Sequence, residues 1–129
     1  MGLCHSLSLS TTGNILIALI GSWANATTQM QGNYFGIPPF LHSPLHAAQR
    51  LPSVTVNYAA GVGSQGGPAA ASWQTALSAA NTSEIIIVAD GIDAGIEGEG
   101  MDRYTIHWSA AQQDLLERLA AMGKPTILL

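Results

Sequence analysis

The sequence predicts an α/β domain with a parallel sheet, organised as an α/β sandwich. Short apolar runs recur along the chain, and segments carrying helix-start signals separate them. Alternating strand and helix signals are typical of parallel strands joined by right-handed crossovers. The 129 residues are enough for one domain of ordinary size.

Four apolar runs are the predicted strands. The first is continuously apolar from Ile15 to Ile20, as expected of a strand that is covered on both faces. The other runs contain β-branched residues and follow segments with helical signals. The predicted strands are residues 14–20, 53–58, 84–89 and 126–129.

Each predicted helix begins at a recognised start signal. A Ser at the N-cap accepts a backbone hydrogen bond, and Pro suits the first helical position. A Ser followed three residues later by Gln forms a capping box. The signals are Ser43 with Pro44 for the first helix, Pro68 for the second, and Ser109 with Gln112 for the third.

Composition argues against several partners. The formal net charge is -4 and only 9% of residues are charged, so no basic footprint for nucleic acid exists. The longest apolar run is too short to span a membrane. No Lys or Arg precedes that run, so the chain lacks a convincing signal peptide. Cys4 is the one cysteine, which excludes a disulfide within the chain.

The most acidic stretch, residues 90–102, directly follows the third predicted strand. It holds five of the eight acidic residues. Ligands of open α/β sheets bind at the carboxyl ends of the strands, so this loop is a candidate site for acid–base chemistry. Glu97 and Glu99 on an extended segment point to opposite sides, so one of them is expected to face the site. The five acids are Asp90, Asp93, Glu97, Glu99 and Asp102.

Two other patterns are weaker, and no metal or cofactor is expected. Gly61, Gly63 and Gly66 match a dinucleotide fingerprint, but no Lys-Ser/Thr follows them. His42 and His46 have the spacing of a zinc helix, yet Ser follows the first and Pro44 places it outside the helix.

Two further features concern carbohydrate. Asn25 and Asn81 each begin a glycosylation sequon. Residues 23–40 are rich in Asn, Gln, Tyr and Trp, which stack on sugar rings and bind hydroxyls. The same composition also suits a loop that packs against a neighbouring domain.

Several of these segments together resemble glycoside hydrolase family 3. The resemblance is to its C-terminal α/β sandwich domain, and most closely to fungal secreted β-xylosidases. It covers residues 14–129 and leaves residues 1–13 unmatched. The segments that carry it are residues 17–21, 23–34, 43–45, 91–93, 96–103, 108 and 123–125.

The resemblance implies a retaining β-glycosidase, most simply a xylan 1,4-β-xylosidase that is extracellular and degrades xylan. Its nucleophile is an Asp on a preceding (β/α)8 barrel, and its acid/base Glu lies on a loop of the sandwich domain. By motif position Glu97 is the acid/base, with Glu99 as the alternative. Asp102 and Arg103 are expected to bind substrate or to fix the loop.

The barrel and the later part of the sandwich domain have no counterpart in these 129 residues. We therefore expect a fragment that does not hydrolyse xylosides alone. Two alternatives stay open, a non-catalytic sugar-binding or interaction remnant and a flavodoxin-like nucleotide-binding module. The choice among xylose, arabinose and glucose is left open, because the barrel contributes most of that pocket.

Overall fold

A computed structural model describes residues 13–32, 34–62 and 70–129. Within these ranges four strands form one parallel sheet in the order β2-β1-β3-β4. Each strand begins and ends within one residue of its predicted bounds, which confirms the predicted α/β fold. The strands are β1 (Ile15–Ile20), β2 (Val54–Ala59), β3 (Ile85–Val88) and β4 (Thr126–Leu128).

In the described part of the chain, three α-helices connect these strands: α1 (Pro44–Ala48), α2 (Ala70–Asn81) and α3 (Ala110–Ala120). The predicted caps of α1 and α3 are confirmed, since Ser43 accepts from the backbone of His46 and Ser109 forms a reciprocal capping box with Gln112. Pro68 lies outside the described residues. None of the helices in the described ranges is both long and apolar enough to cross a bilayer.

Burial follows position in the sheet. The central strands β1 and β3 are largely buried, whereas β2 at one edge exposes Thr55 and Tyr58. This contrast explains the continuous apolar run of β1, because a central parallel strand is covered on both faces.

The helices cover both faces of the sheet. On one face α2 and α3 pack Ala76, Ala80, Leu115 and Leu119 into the larger cluster of buried residues. On the other face Leu45 of α1 packs with residues of β1 and of the loop beyond it. The resulting helix–sheet–helix layering agrees with the predicted sandwich.

The strand order reverses between β1 and β3. The chain moves outward from β1 to β2 and then crosses back over β1 to reach β3. The loops that leave the carboxyl ends of β1 and β3 therefore diverge and leave a crevice between them. Ligands of open α/β sheets bind at such a switch point.

Candidate active site

Asp90 anchors the acidic loop where it leaves β3. Its Oδ1 accepts hydrogen bonds from the Ser22 hydroxyl at 2.6 Å, the Gly91 amide at 3.0 Å and the Gln112 side-chain amide at 3.0 Å. Asp90 is 9% exposed. A nearly buried carboxylate with three donors thus joins the ends of β1 and β3 to the start of α3.

The acidic loop continues as a series of turns. The carbonyl of Asp93 accepts from the amides of Ile96 and Glu97, and its side chain accepts from the amide of Gly95. The prediction that residues 97–99 are extended is wrong. Backbone groups of these residues form hydrogen bonds within the loop, as turns do. The loop consequently keeps a defined course without pairing to the sheet.

Glu99 stands at the tip of a two-residue hairpin. Gly98 and Met101 exchange both of their backbone hydrogen bonds, at 2.9 and 3.1 Å. Gly100 has φ +77°, a left-handed conformation that glycine adopts without steric cost. The exposed Glu99 side chain makes no hydrogen bond or ion pair with any other described residue. Its carboxylate is thus exposed to solvent.

Glu97 is held by Arg103 instead. The Nε of Arg103 lies 2.6 Å from Oε2 of Glu97, and Nη1 of Arg103 donates to the carbonyl of His107 at 3.1 Å. The two side chains of the ion pair are 23% exposed for Arg103 and 47% exposed for Glu97. Arg103 therefore bridges Glu97 and the backbone at His107.

A concave surface of about 380 Å³ lies between the two loops of the switch point. Tyr34 from the loop after β1 lines one side and is 96% exposed, while Glu99 lines the other. Ala94, Gly98 and Met101 complete the lining. A larger groove between β2 and α2, about 590 Å³, has no carboxylate in its lining and offers no acid–base pair.

The structure separates the other predicted site residues. Asp102 is exposed and has no hydrogen-bond partner among the residues that the structure describes. Asn25 and Asn81 are both exposed, and the side-chain oxygen of Asn25 accepts from the hydroxyl of Ser43 at 3.0 Å. The glycine-rich segment lies mostly outside the described residues, which leaves the nucleotide-binding alternative untested.

His42 and His46 stack with their ring centroids 4.3 Å apart. Arg50 lies 2.6 Å from Nε2 of His46. Partial desolvation, the Arg50 guanidinium and the His42 ring lower the pKa of His46 below its ordinary value. Within the described ranges no group of three His, Cys, Asp or Glu side chains could hold a metal ion.

The sequence did not predict that Ser22 and Gln112 contribute to the site. Ser22 and Asp90 are 68 residues apart, and no spacing rule predicts their contact. Gln112 was expected only as a capping-box residue, but its side-chain amide also donates to Asp90 and to the carbonyl of Gly91. The only available signal for Asp90 was its position as the first acid after β3.

The fold is an α/β sandwich domain with an acidic loop at the carboxyl edge of its parallel sheet. The model for the glycosyl hydrolase family 3 C-terminal domain matches residues 7–129, and the chain belongs to this family. A probable exo-1,4-beta-xylosidase, xlnD, of Aspergillus terreus is 50% identical over 113 residues, or 88% of this chain and 14% of the relative. The exo-1,4-beta-xylosidase xlnD of Aspergillus oryzae is 44% identical over 123 residues, or 95% of this chain and 15% of the relative.

Solved structures agree with this family membership. A GH3 exo-beta-xylosidase, XlnD, in complex with a xylobiose aziridine activity-based probe aligns with TM-score 0.83 and 41% identity, covering 95% of this chain and 16% of that one. The GH3 beta-glucosidase of Bifidobacterium adolescentis aligns with TM-score 0.75 and 28% identity, covering 89% of this chain and 17% of that one. This chain thus spans about one sixth of the length of either structure.

Proposed function

We propose that the chain supplies the acid/base carboxylate of a retaining β-glycosidase that acts on β-xylosides. The observation that carries this proposal is the hairpin at the switch-point crevice, whose tip carries a carboxylate that pairs with none of the described residues. The exo-1,4-beta-xylosidase names of the relatives support the choice of substrate. A preceding (β/α)8 barrel would supply the nucleophilic Asp.

In the proposed reaction one Glu acts twice. It first donates a proton to the glycosidic oxygen while the barrel Asp attacks the anomeric carbon, and the aglycone leaves. The resulting carboxylate then takes a proton from water, which attacks the anomeric carbon and releases the sugar. The proton balance closes over the two steps, so no cofactor is required.

The geometry favours Glu99 over Glu97 for this role. A general acid must carry a proton when the glycosidic bond breaks. Glu97 is already engaged in an ion pair with Arg103 at 2.6 Å, so its carboxylate is less free to contact the glycosidic oxygen. Glu99 has no such partner among the described residues and faces the crevice beside Tyr34. Glu97, the residue favoured by motif position, remains the alternative.

The other predicted residues enter the proposal with more modest roles. Asp102 follows the hairpin and is exposed, so it can accept a hydrogen bond from a sugar hydroxyl. Asn25 and Asn81 are exposed and would carry N-linked glycans if the protein is secreted, as proposed for the family. Mass spectrometry of the two glycopeptides from a eukaryotic host tests that part.

A chimera tests the catalytic proposal. Residues 14–129 replace the matching segment of the Aspergillus terreus relative, and the release of aryl alcohol from aryl β-xylosides is measured. Glu99→Ala should lower kcat by about 10²- to 10⁴-fold for substrates with poor leaving groups. Azide should restore turnover when the leaving group is good, because an anionic nucleophile needs no general base.

The matched control is Glu97→Ala, which should gain nothing from azide. Rescue of the Glu97 variant alone would return the acid/base role to Glu97. A correctly folded chimera that hydrolyses no β-xyloside, beside an active parent enzyme, would refute the proposal as a whole.

A further inference from the structure

Arg103 connects the two ends of the segment that carries the hairpin. Its Nε contacts Glu97, directly before the hairpin, and its Nη1 contacts the carbonyl of His107, two residues before the N-cap of α3. The Arg103 side chain is 23% exposed, less than either side chain of the surface ion pair Asp114–Arg118, at 40% and 52%. Arg103 therefore joins the hairpin to the α3 end of the loop.

Among the described residues, the other hydrogen bonds of the hairpin are local to the loop. Its two backbone hydrogen bonds, between Gly98 and Met101, close the turn internally and leave the direction of the turn undetermined. Upstream contacts to Asp93 end at the amide of Glu97. Among the described contacts of residues 97–103, Arg103 makes the side-chain bonds that reach across the hairpin and toward α3.

We infer that Arg103 is a positioning residue for the Glu99 carboxylate and acts through Glu97 and the His107 carbonyl. This inference rests on the proposed function, because the position of the Glu99 carboxylate matters chemically only if Glu99 is the acid/base. A guanidinium suits the task, since its planar fork bonds two acceptors in fixed directions. Glu97 then serves as the partner of Arg103 rather than as a proton carrier.

The first test uses the 129-residue chain and needs no catalysis. Hydrogen exchange of the Gly98 and Met101 amides is followed by NMR in Arg103→Ala and in the matched control Arg118→Ala. Local opening exposes these amides, so exchange should become about tenfold faster in Arg103→Ala and stay unchanged in the control. Equal exchange in the two variants would overturn the inference.

The second test asks whether position matters for the reaction. In the chimera, Arg103→Ala should lower kcat by roughly 10- to 100-fold, since small displacements of a reacting group are costly. KM should change by less than about threefold, and added guanidinium ion should recover part of kcat. A merely structural role predicts a lower Tm without recovery by guanidinium.

The two tests separate this inference from the proposed function. Unchanged kcat in Arg103→Ala, in a chimera that needs Glu99, would overturn the positioning role and leave the proposed function standing. An inactive parent chimera would count against the proposed function instead. In that case amide exchange still decides whether Arg103 holds the hairpin.

Discussion

Gly21 and Ala89 approach so closely that a Cβ on Gly21 would stand 2.1 Å from the carbonyl oxygen of Ala89. Gly21 also has φ +126°, a conformation that L-residues rarely adopt. The same carbonyl accepts the amide of Trp23 at 3.0 Å. The ends of β1 and β3 can thus close on each other only because residue 21 has no side chain.

Gly21→Ala should therefore lower the free energy of unfolding by at least about 2 kcal/mol, because it adds both a clash and backbone strain. Urea denaturation followed by circular dichroism measures the change. Gly32→Ala is the control, since nothing lies within 4 Å of a Cβ at that position. Equal stability of the two variants would show that the two strand ends can separate without cost.

Substitutions at Asp90 can distinguish the effect of its hydrogen bonds on stability from the effect of its negative charge. The three donors bond one oxygen, Oδ1, which the amide carbonyl of an asparagine can replace. Asp90→Asn should stay within about 1 kcal/mol of the native free energy of unfolding, whereas Asp90→Ala should lose about 2 to 3 kcal/mol. A loss in Asp90→Asn as large as in Asp90→Ala would mean that the negative charge itself is required.

Lys124 stabilises the end of α2. Its ammonium donates to the carbonyls of Ala80, Asn81 and Ser83 at 2.6 to 2.8 Å. Lys124→Met keeps most of the aliphatic chain and should cost about 1 to 3 kcal/mol in thermal or urea unfolding. Asp114→Asn removes an exposed ion pair and should cost less than about 0.5 kcal/mol. A larger loss of stability in Asp114→Asn than in Lys124→Met would contradict the stabilising role of Lys124.

The pKa of His46 should affect stability in a defined direction. Its folded-state pKa is lowered from the ordinary 6.5, so the folded state favours the neutral ring. The related stability is present above pH 6.5 and is lost as the pH falls through the folded pKa. An NMR titration of His46 should give a pKa below 6.5, and Arg50→Gln should raise it. A native pKa at or above 6.5 would contradict the expected lowering by desolvation and by the neighbouring Arg50 and His42.

Much of the fold could be read from local patterns. Strand bounds followed from apolar runs, because a central strand such as β1 needs apolar side chains on both faces. The caps at Ser43 and Ser109 followed from residue types whose oxygens bond nearby amides. The position of the acidic loop followed from the strand before it, since parallel strands bring their carboxyl ends to one edge.

The arrangement within the site could not be read in the same way. The contact of Ser22 with Asp90 depends on two strands meeting across the sheet, and no local sequence pattern pairs these two residues. The conformation around Glu97 depended on a turn that glycine permits and that no single spacing fixes. Among the described residues Arg103 pairs with Glu97 and not with Glu99, and a sequence motif does not indicate which of the two it reaches.

The strand order also has a consequence for synthesis on the ribosome. Directly before β3, the backbone amide of Glu84 donates to the carbonyl of Leu16 at 2.8 Å, and Glu84 is made 68 residues after Leu16. At about 5 to 20 residues per second this interval lasts roughly 3 to 14 s. Until β3 leaves the exit tunnel, the apolar strand β1 has one open edge that β2 does not cover. The apolar residues 15–20 therefore remain an unpaired, aggregation-prone strand edge for several seconds during synthesis.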